Sequence, residues 1–174
     1  MSECRSMPEH IDLFPLDTVL FPHGLAPLRI FEPRYLDMVS RCLKKESTFG
    51  ICLRKKSESD ALLDHIHRIG TTCNIIDWEG LEKGFLGILV EGGERFTVHD
   101  IRVLENRLWT ARVTEIEDLP DRNPALPGEF RDMAMLLEKI LARLKPVYKS
   151  EWLIDDSKWV GSQLAAPLPL TDKH

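Results

Sequence analysis

The sequence predicts an α+β fold: a mostly antiparallel β domain with one helix near its start, followed by two helices. Three observations carry this. Up to about residue 116 the chain consists of short β-rich runs separated by Gly and Pro turn signals. From Glu129 onward the apolar spacing changes to the helical period. Between the two, residues 119–128 supply Pro120, Pro124, Pro127 and Gly128, which stop regular structure and mark a boundary. Strands that precede helices, rather than alternate with them, give the α+β order, and many short strands suit a barrel or a sandwich.

Taken in order, residues 14–38 read FPLDTVLFPHGLAPLRIFEPRYLDM. Pro15, Pro22 and Pro27 each remove a backbone donor and fix φ, so this stretch must be short extended pieces, with His23-Gly24 as the turn. Phe14, Leu16, Val19, Leu20, Phe21, Leu28, Ile30 and Phe31 read as core residues of these first strands. Pro33 suits a first helical position, and Tyr35, Leu36, Val39, Cys42 and Leu43 follow at helical spacing. Arg41, Lys44 and Lys45 complement the dipole at the far end of that helix. Residues 48–54 read as a strand and Lys55-Lys56-Ser57-Glu58-Ser59-Asp60 as a solvated loop. Residues 66–77, rich in Ile and Thr, predict one strand or two broken near Gly70. Residues 85–90 and 95–103 flank Glu91-Gly92-Gly93-Glu94, which predicts a β-hairpin. In 108–116, Trp109, Ala111 and Val113 alternate with polar residues, the pattern of a strand with one wet face. Beyond the boundary, Phe130, Met133, Ala134, Leu137, Ile140, Leu141 and Leu144 form a helical stripe that Pro146 ends. Ser157 is placed to cap a last helix carrying Trp159, Val160 and Leu164.

A chain of 174 residues buries about two-thirds of its surface on folding, enough for a real core. With 43% hydrophobic and 29% charged residues the composition is that of a globular protein, and no apolar run approaches the ~20 residues that span a bilayer. MSECRSMPEH has no apolar signal region, so the expected address is cytoplasmic and no membrane contact is expected. Cys4, Cys42, Cys52 and Cys73 are scattered, which favours reduced thiols over a disulfide framework or a zinc knuckle. A net charge of -5 argues against a broad nucleic-acid-binding face.

Catalytic patterns are missing. No G-x-x-x-x-G-K-[ST] phosphate loop and no G-x-S-x-G elbow occurs; Gly80-Leu81-Glu82-Lys83-Gly84 has the wrong spacing. His65 and His67 stand two apart on one strand face, but a third metal ligand would have to come from Asp64, His99 or a distant cysteine. Glu79, Glu82, Glu91 and Glu94 read as solvated turn acids rather than an acid–base pair. No enzyme activity, metal or cofactor is expected.

FPLDTVLFPHGLAPLRIFEPRYLDMVSRC resembles the opening of the Lon amino-terminal domain, the substrate-binding portion of the ATP-dependent protease Lon. The likeness extends to Ile69-Gly70-Thr71, to Glu91-Gly92-Gly93-Glu94-Arg95-Phe96 and to Trp159-Val160-Gly161-Ser162-Gln163-Leu164. It implies a stand-alone bacterial member related to S16-type peptidases: a PUA-like small antiparallel β-barrel over residues 8–120 and a C-terminal helical subdomain over 128–174. It also implies a non-catalytic module that recognises unfolded or partner polypeptide, since nothing here matches the nucleotide loop or the Ser-Lys protease region of Lon. Members of this kind usually continue past the Trp-Val-Gly helix. The helical part is therefore expected to be incomplete, and its apolar stripe to pair in a homodimer.

Within that resemblance, Glu32, Arg34 and Asp37 at the helix start are either structural ion pairs or the rim of a polypeptide groove. Trp78 and Trp152, beside acidic or polar residues at element ends, are candidate binding anchors, while Trp109 and Trp159 read as core. PUA-like barrels include RNA-binding modules, which makes RNA the alternative partner through Lys44-Lys45 and Arg54-Lys55-Lys56. Only Phe49 offers an aromatic platform near them, and Glu46, Glu58 and Asp60 interrupt the charge.

Overall fold

The computed structural model describes residues 7–117, 125–143 and 153–165. These fall into two compact units, one holding the described residues up to Glu117 and the other those between Asp118 and Leu168.

The first unit contains β1 (His10–Leu16), β2 (Leu25–Ile30), α1 (Pro33–Lys45), β3 (Phe49–Arg54), β4 (Ile66–Gly80), β5 (Leu86–Val103) and β6 (Trp109–Glu115). They form one six-stranded sheet in the order β2-β5-β4-β3-β1-β6, and β5 also pairs with β6, so the pairing returns on itself. The sheet is mixed rather than wholly antiparallel, because β1 and β3 run parallel. A parallel pair needs a crossover, and β2 with α1 supplies it.

Helix α1 starts with Pro33 in its first turn and ends at Glu46 in the left-handed region (φ 50°), where Ser47 N–H donates to Cys42 C=O at 3.1 Å. It buries Tyr35, Met38, Val39 and Cys42 against Phe14, Leu20, Ile30, Phe49 and Val90, while the predicted stripe residue Leu43 stays partly exposed. The Phe14 ring lies 4.3 Å from Tyr35 and 6.3 Å from Phe49. A second cluster gathers Leu13, Cys52, Ile66, Phe96, Val98 and Val113. The Phe96 ring fills the space where Gly70 has no side chain: a Cβ there would come within 2.4 Å of Phe96 Cζ. Gly70 accordingly does not break β4, which runs as one strand of 15 residues.

The hairpin expected at Glu91-Gly92-Gly93-Glu94 does not form. β5 runs straight through these residues for 18 positions. The glycines serve close approach instead of a turn: a Cβ on Gly92 would lie 2.1 Å from the Phe21 carbonyl oxygen, and one on Gly93 2.6 Å from Thr72 Oγ1. The actual reversal falls between β4 and β5, where Lys83 and Gly84 take positive φ and Leu81 N–H donates to Phe85 C=O at 2.8 Å.

The second unit holds α2 (Arg131–Arg143) and α3 (Ser157–Ala165). Ala134, Leu137, Trp159 and Val160 form its small core with Leu126, Ile154 and Leu164. Asp156, not Ser157, caps α3: its Oδ1 accepts from Trp159 N–H at 2.8 Å. The predicted stripe is only partly buried, since Phe130, Met133 and Ile140 are exposed. Leu144 and Pro146 lie outside the described residues.

Candidate functional site

Three aromatic side chains mark one end of the β2–β5–β4 section of the sheet. Ile30, the last residue of β2, pairs with Leu86 of β5, which also pairs with Gly80 of β4. Phe31 therefore emerges beside Phe85, and their ring centroids stand 5.7 Å apart at 55°. Trp78 lies two residues before Gly80, opposite the core residue Ile88, so the register puts it on the face of Ile30 and Ile88 and not on the face of Phe31 and Phe85. Phe31 is 61% exposed and Trp78 59%, while Phe85 is half-buried. Phe31 is thus not the core residue that the hydrophobic run predicted. Alternation along β2 explains this: with Ile30 turned into the core, the next side chain points to the other face. That period-2 argument was available in the sequence, and Phe31 and Phe85 are the residues it would have added.

Of the predicted site residues, Glu32 and Arg34 are brought together, in an ion pair of 2.6 Å. Arg34 Nη1 also donates to the Arg107 carbonyl at 3.0 Å, its guanidinium carbon lies 4.6 Å from the Tyr35 ring centre, and its Nε is enclosed without a partner. Arg107 holds a positive φ in the tight turn that leads from β5 to β6, so Arg34 ties the start of α1 to that turn. Burial, offset in part by the Arg34 charge, pushes the Tyr35 hydroxyl above its ordinary range. Asp37 is exposed on α1. Trp152 lies outside the described residues. Trp109 is half-buried against the second cluster, and Trp159 is core as predicted.

Among the described residues no group of three or more His, Cys, Asp or Glu side chains is placed to hold a metal ion. His65 Nε2 donates to the Ser59 carbonyl at 2.8 Å. Cys42, Cys52 and Cys73 are free and buried. Desolvation pushes the Cys52 thiol up to about 12 and raises the other two, so none is poised as a thiolate nucleophile. Arg54 donates to the Pro15 carbonyl at 3.2 Å, with the Asp17 carboxylate 3.6 Å away.

The fold and surface define a class: a mixed-sheet α+β domain with a helix over one cluster and exposed aromatic rings at one end. The chain belongs to the family of ATP-dependent protease La (LON) substrate-binding domains, whose model matches residues 10–166. It is 29% identical over 157 residues to the Lon protease of Dictyoglomus thermophilum, an alignment covering 89% of this chain and 19% of that protein. It is 30% identical over 125 residues to the Lon protease of Xanthomonas oryzae, covering 69% and 14%. The chain thus spans about a fifth or less of the length of these curated relatives. Among solved structures, a Lon N-terminal domain protein from Xanthomonas campestris superposes with a TM-score of 0.67 at 34% identity, over 93% of this chain and 84% of that one. The N-terminal domain of a Mycobacterium avium complex Lon protease, at 15% identity and a TM-score of 0.51, shares the fold over 79% of this chain and 68% of that one. No helix among the described residues is long and apolar enough to cross a membrane.

Proposed function

We propose that this chain is a non-catalytic module that recognises unfolded or partner polypeptide through the Phe31–Phe85 pair, with Trp78 as a second anchor at the same end of the sheet but on its other face. The observation that carries this reading is the exposure of two large aromatic side chains, one of them in tilted contact with a third ring, at one end of a sheet whose family is described by substrate binding. Exposed aromatic clusters offer large contact area at small entropic cost and commonly supply most of the energy of an interface. Glu32 and Arg34 follow Phe31 in sequence and hold the start of α1 in place, which supports the backbone from which Phe31 projects. The cyclic strand pairing supports reading the first unit as the small PUA-like barrel. Three reduced, buried thiols support a cytoplasmic address.

The test is capture of unfolded casein by immobilised protein. Wild type should retain it in a manner that changes little with added salt, and Phe31→Ala with Trp78→Ala should weaken retention about tenfold, the scale of losing one or two aromatic anchors. The same preparation should neither hydrolyse ATP nor cleave the casein. Capture unchanged in the double variant would reject the aromatic surface. RNA binding that falls steeply with salt and depends on Lys44, Lys45, Lys55 and Lys56 would favour the nucleic-acid alternative.

A further inference from the structure

Two stretches of strand have a neighbour on one side only among the described residues. β2 pairs with β5 alone. β4 loses β3 at the pair Phe49↔Cys73 but follows β5 on to Gly80↔Leu86. Residues of such an edge alternate, one presenting its N–H and C=O to the neighbouring strand and the next presenting them outward.

The hydrogen bonds at the strand ends fix which residues do which. Gly92 N–H donates to Gly24 C=O at 2.9 Å, and the register from Leu25↔Glu91 to Ile30↔Leu86 is unbroken. Ala26, Leu28 and Ile30 therefore bond toward β5, and Leu25, Pro27 and Arg29 face outward. Pro27 is the middle residue of the outward set and has no N–H to offer. On β4, Leu81 N–H donates to Phe85 C=O at 2.8 Å, and the register is unbroken from Gly80 back to Asp77. Asp77 and Glu79 then bond toward β5, while Trp78 and Gly80 face outward. The outward N–H of Trp78 is already taken by Asp77 Oδ1 at 3.0 Å. Each open edge has thus lost a donor where an incoming strand would need one. On β2 the loss is covalent; on β4 a neighbouring carboxylate occupies the donor and adds negative charge.

We propose that Pro27 and Asp77 are edge guards that close this sheet to strand addition, whether by an extended segment of another protein or by a second copy of this chain. The inference goes beyond the polypeptide reading and stands without it. Where both hold, polypeptide is gripped by its side chains at the aromatic rings and not by its backbone. A module that meets unfolded chains has reason to be so built, because an open edge beside them would template pairing that does not reverse easily.

The experiment compares wild type with Pro27→Val, Asp77→Val and the double variant by sedimentation velocity and amide hydrogen exchange. The double variant should self-associate at a concentration at least tenfold below any association of wild type, with new protection at Leu25, Arg29, Trp78 or Gly80. Asp77→Asn, which keeps an oxygen acceptor for the Trp78 N–H, should stay with wild type. A folded double variant that associates no more than wild type, or that associates without new protection at those amides, would overturn the proposal. Near-UV circular dichroism reports whether the double variant folds. If it does not, Pro27→Ala, which restores the N–H with a minimal side chain, decides by the same two readouts.

Discussion

Ile30 and Phe31 are neighbours with opposite fates, one 1% and the other 61% exposed. Burying a Phe is worth about 3–5 kcal/mol against alanine, so the expectation for Phe31→Ala changes sign of argument with its location. Exposed beside Phe85, Phe31 should cost less than about 1 kcal/mol when truncated, and urea unfolding checks it. A loss above about 3 kcal/mol would return Phe31 to the core. The buried thiols make a second prediction at this scale. Cys52 is raised from 9.0 to about 12, and Cys42 and Cys73 are raised as well, all chiefly by desolvation. Below pH 9 both folded and unfolded chains keep these protons and stability is indifferent to them. Above pH 9 the unfolded chain releases protons that the folded chain retains, so stability falls as pH rises; for Cys52 the fall runs toward pH 12, by up to ~1.4 kcal/mol per pH unit, and Cys42 and Cys73 act in the same direction. Urea midpoints at pH 8, 9 and 10 should show the decline, and Cys52→Ala should make it shallower.

At the scale of elements, β5 organises the first unit, since it pairs with β2, β4 and β6 in turn. It does so only by remaining one strand through Glu91-Gly92-Gly93-Glu94, where the segment around Phe21 crosses against its backbone. His23 N–H donates to Gly92 C=O at 2.8 Å and locks that crossing. Gly92→Ala would force a methyl group against a backbone carbonyl that has little freedom to retreat. The expected loss is about 3 kcal/mol, the upper end of overpacking costs, measured by denaturant unfolding. Gly80→Ala is the control, because a Cβ there meets nothing within 4 Å. Equal stability of the two variants would mean that the crossing yields easily.

For the molecule as a whole, α2 keeps Ala134 and Leu137 inside its own unit and leaves Met133, Leu136 and Ile140 exposed. Apolar residues spaced three and four apart form one continuous stripe on a helix. We expect self-association through this stripe in solution, visible as a concentration-dependent sedimentation coefficient. Leu136→Glu with Ile140→Glu should shift it to monomer while thermal unfolding of the β unit is unchanged. Leu137 is the wrong residue for that test, since a charge there would strike the unit's own core. A wild type that is monomeric at every accessible concentration would sink the expectation.

By itself the sequence determined the α+β order, the helix opening at Pro33, the strands at 49–54 and 109–115, and the family, because local signals carry those features: fixed φ, apolar period and recognisable residue groups. Glu32 and Arg34 were legible as neighbours at a helix start, but not as a clamp on Arg107, which lies 73 residues away from Arg34 in the chain. Tertiary structure alone decided that Gly92 and Gly93 sit inside a strand, since a glycine needed for a turn and one needed for a close approach look the same until the approaching segment is in place. It also decided that β1 and β3 run parallel. A hydrophobic run records how much apolar surface a segment has, whereas pairing and alternation determine which part of it the core receives.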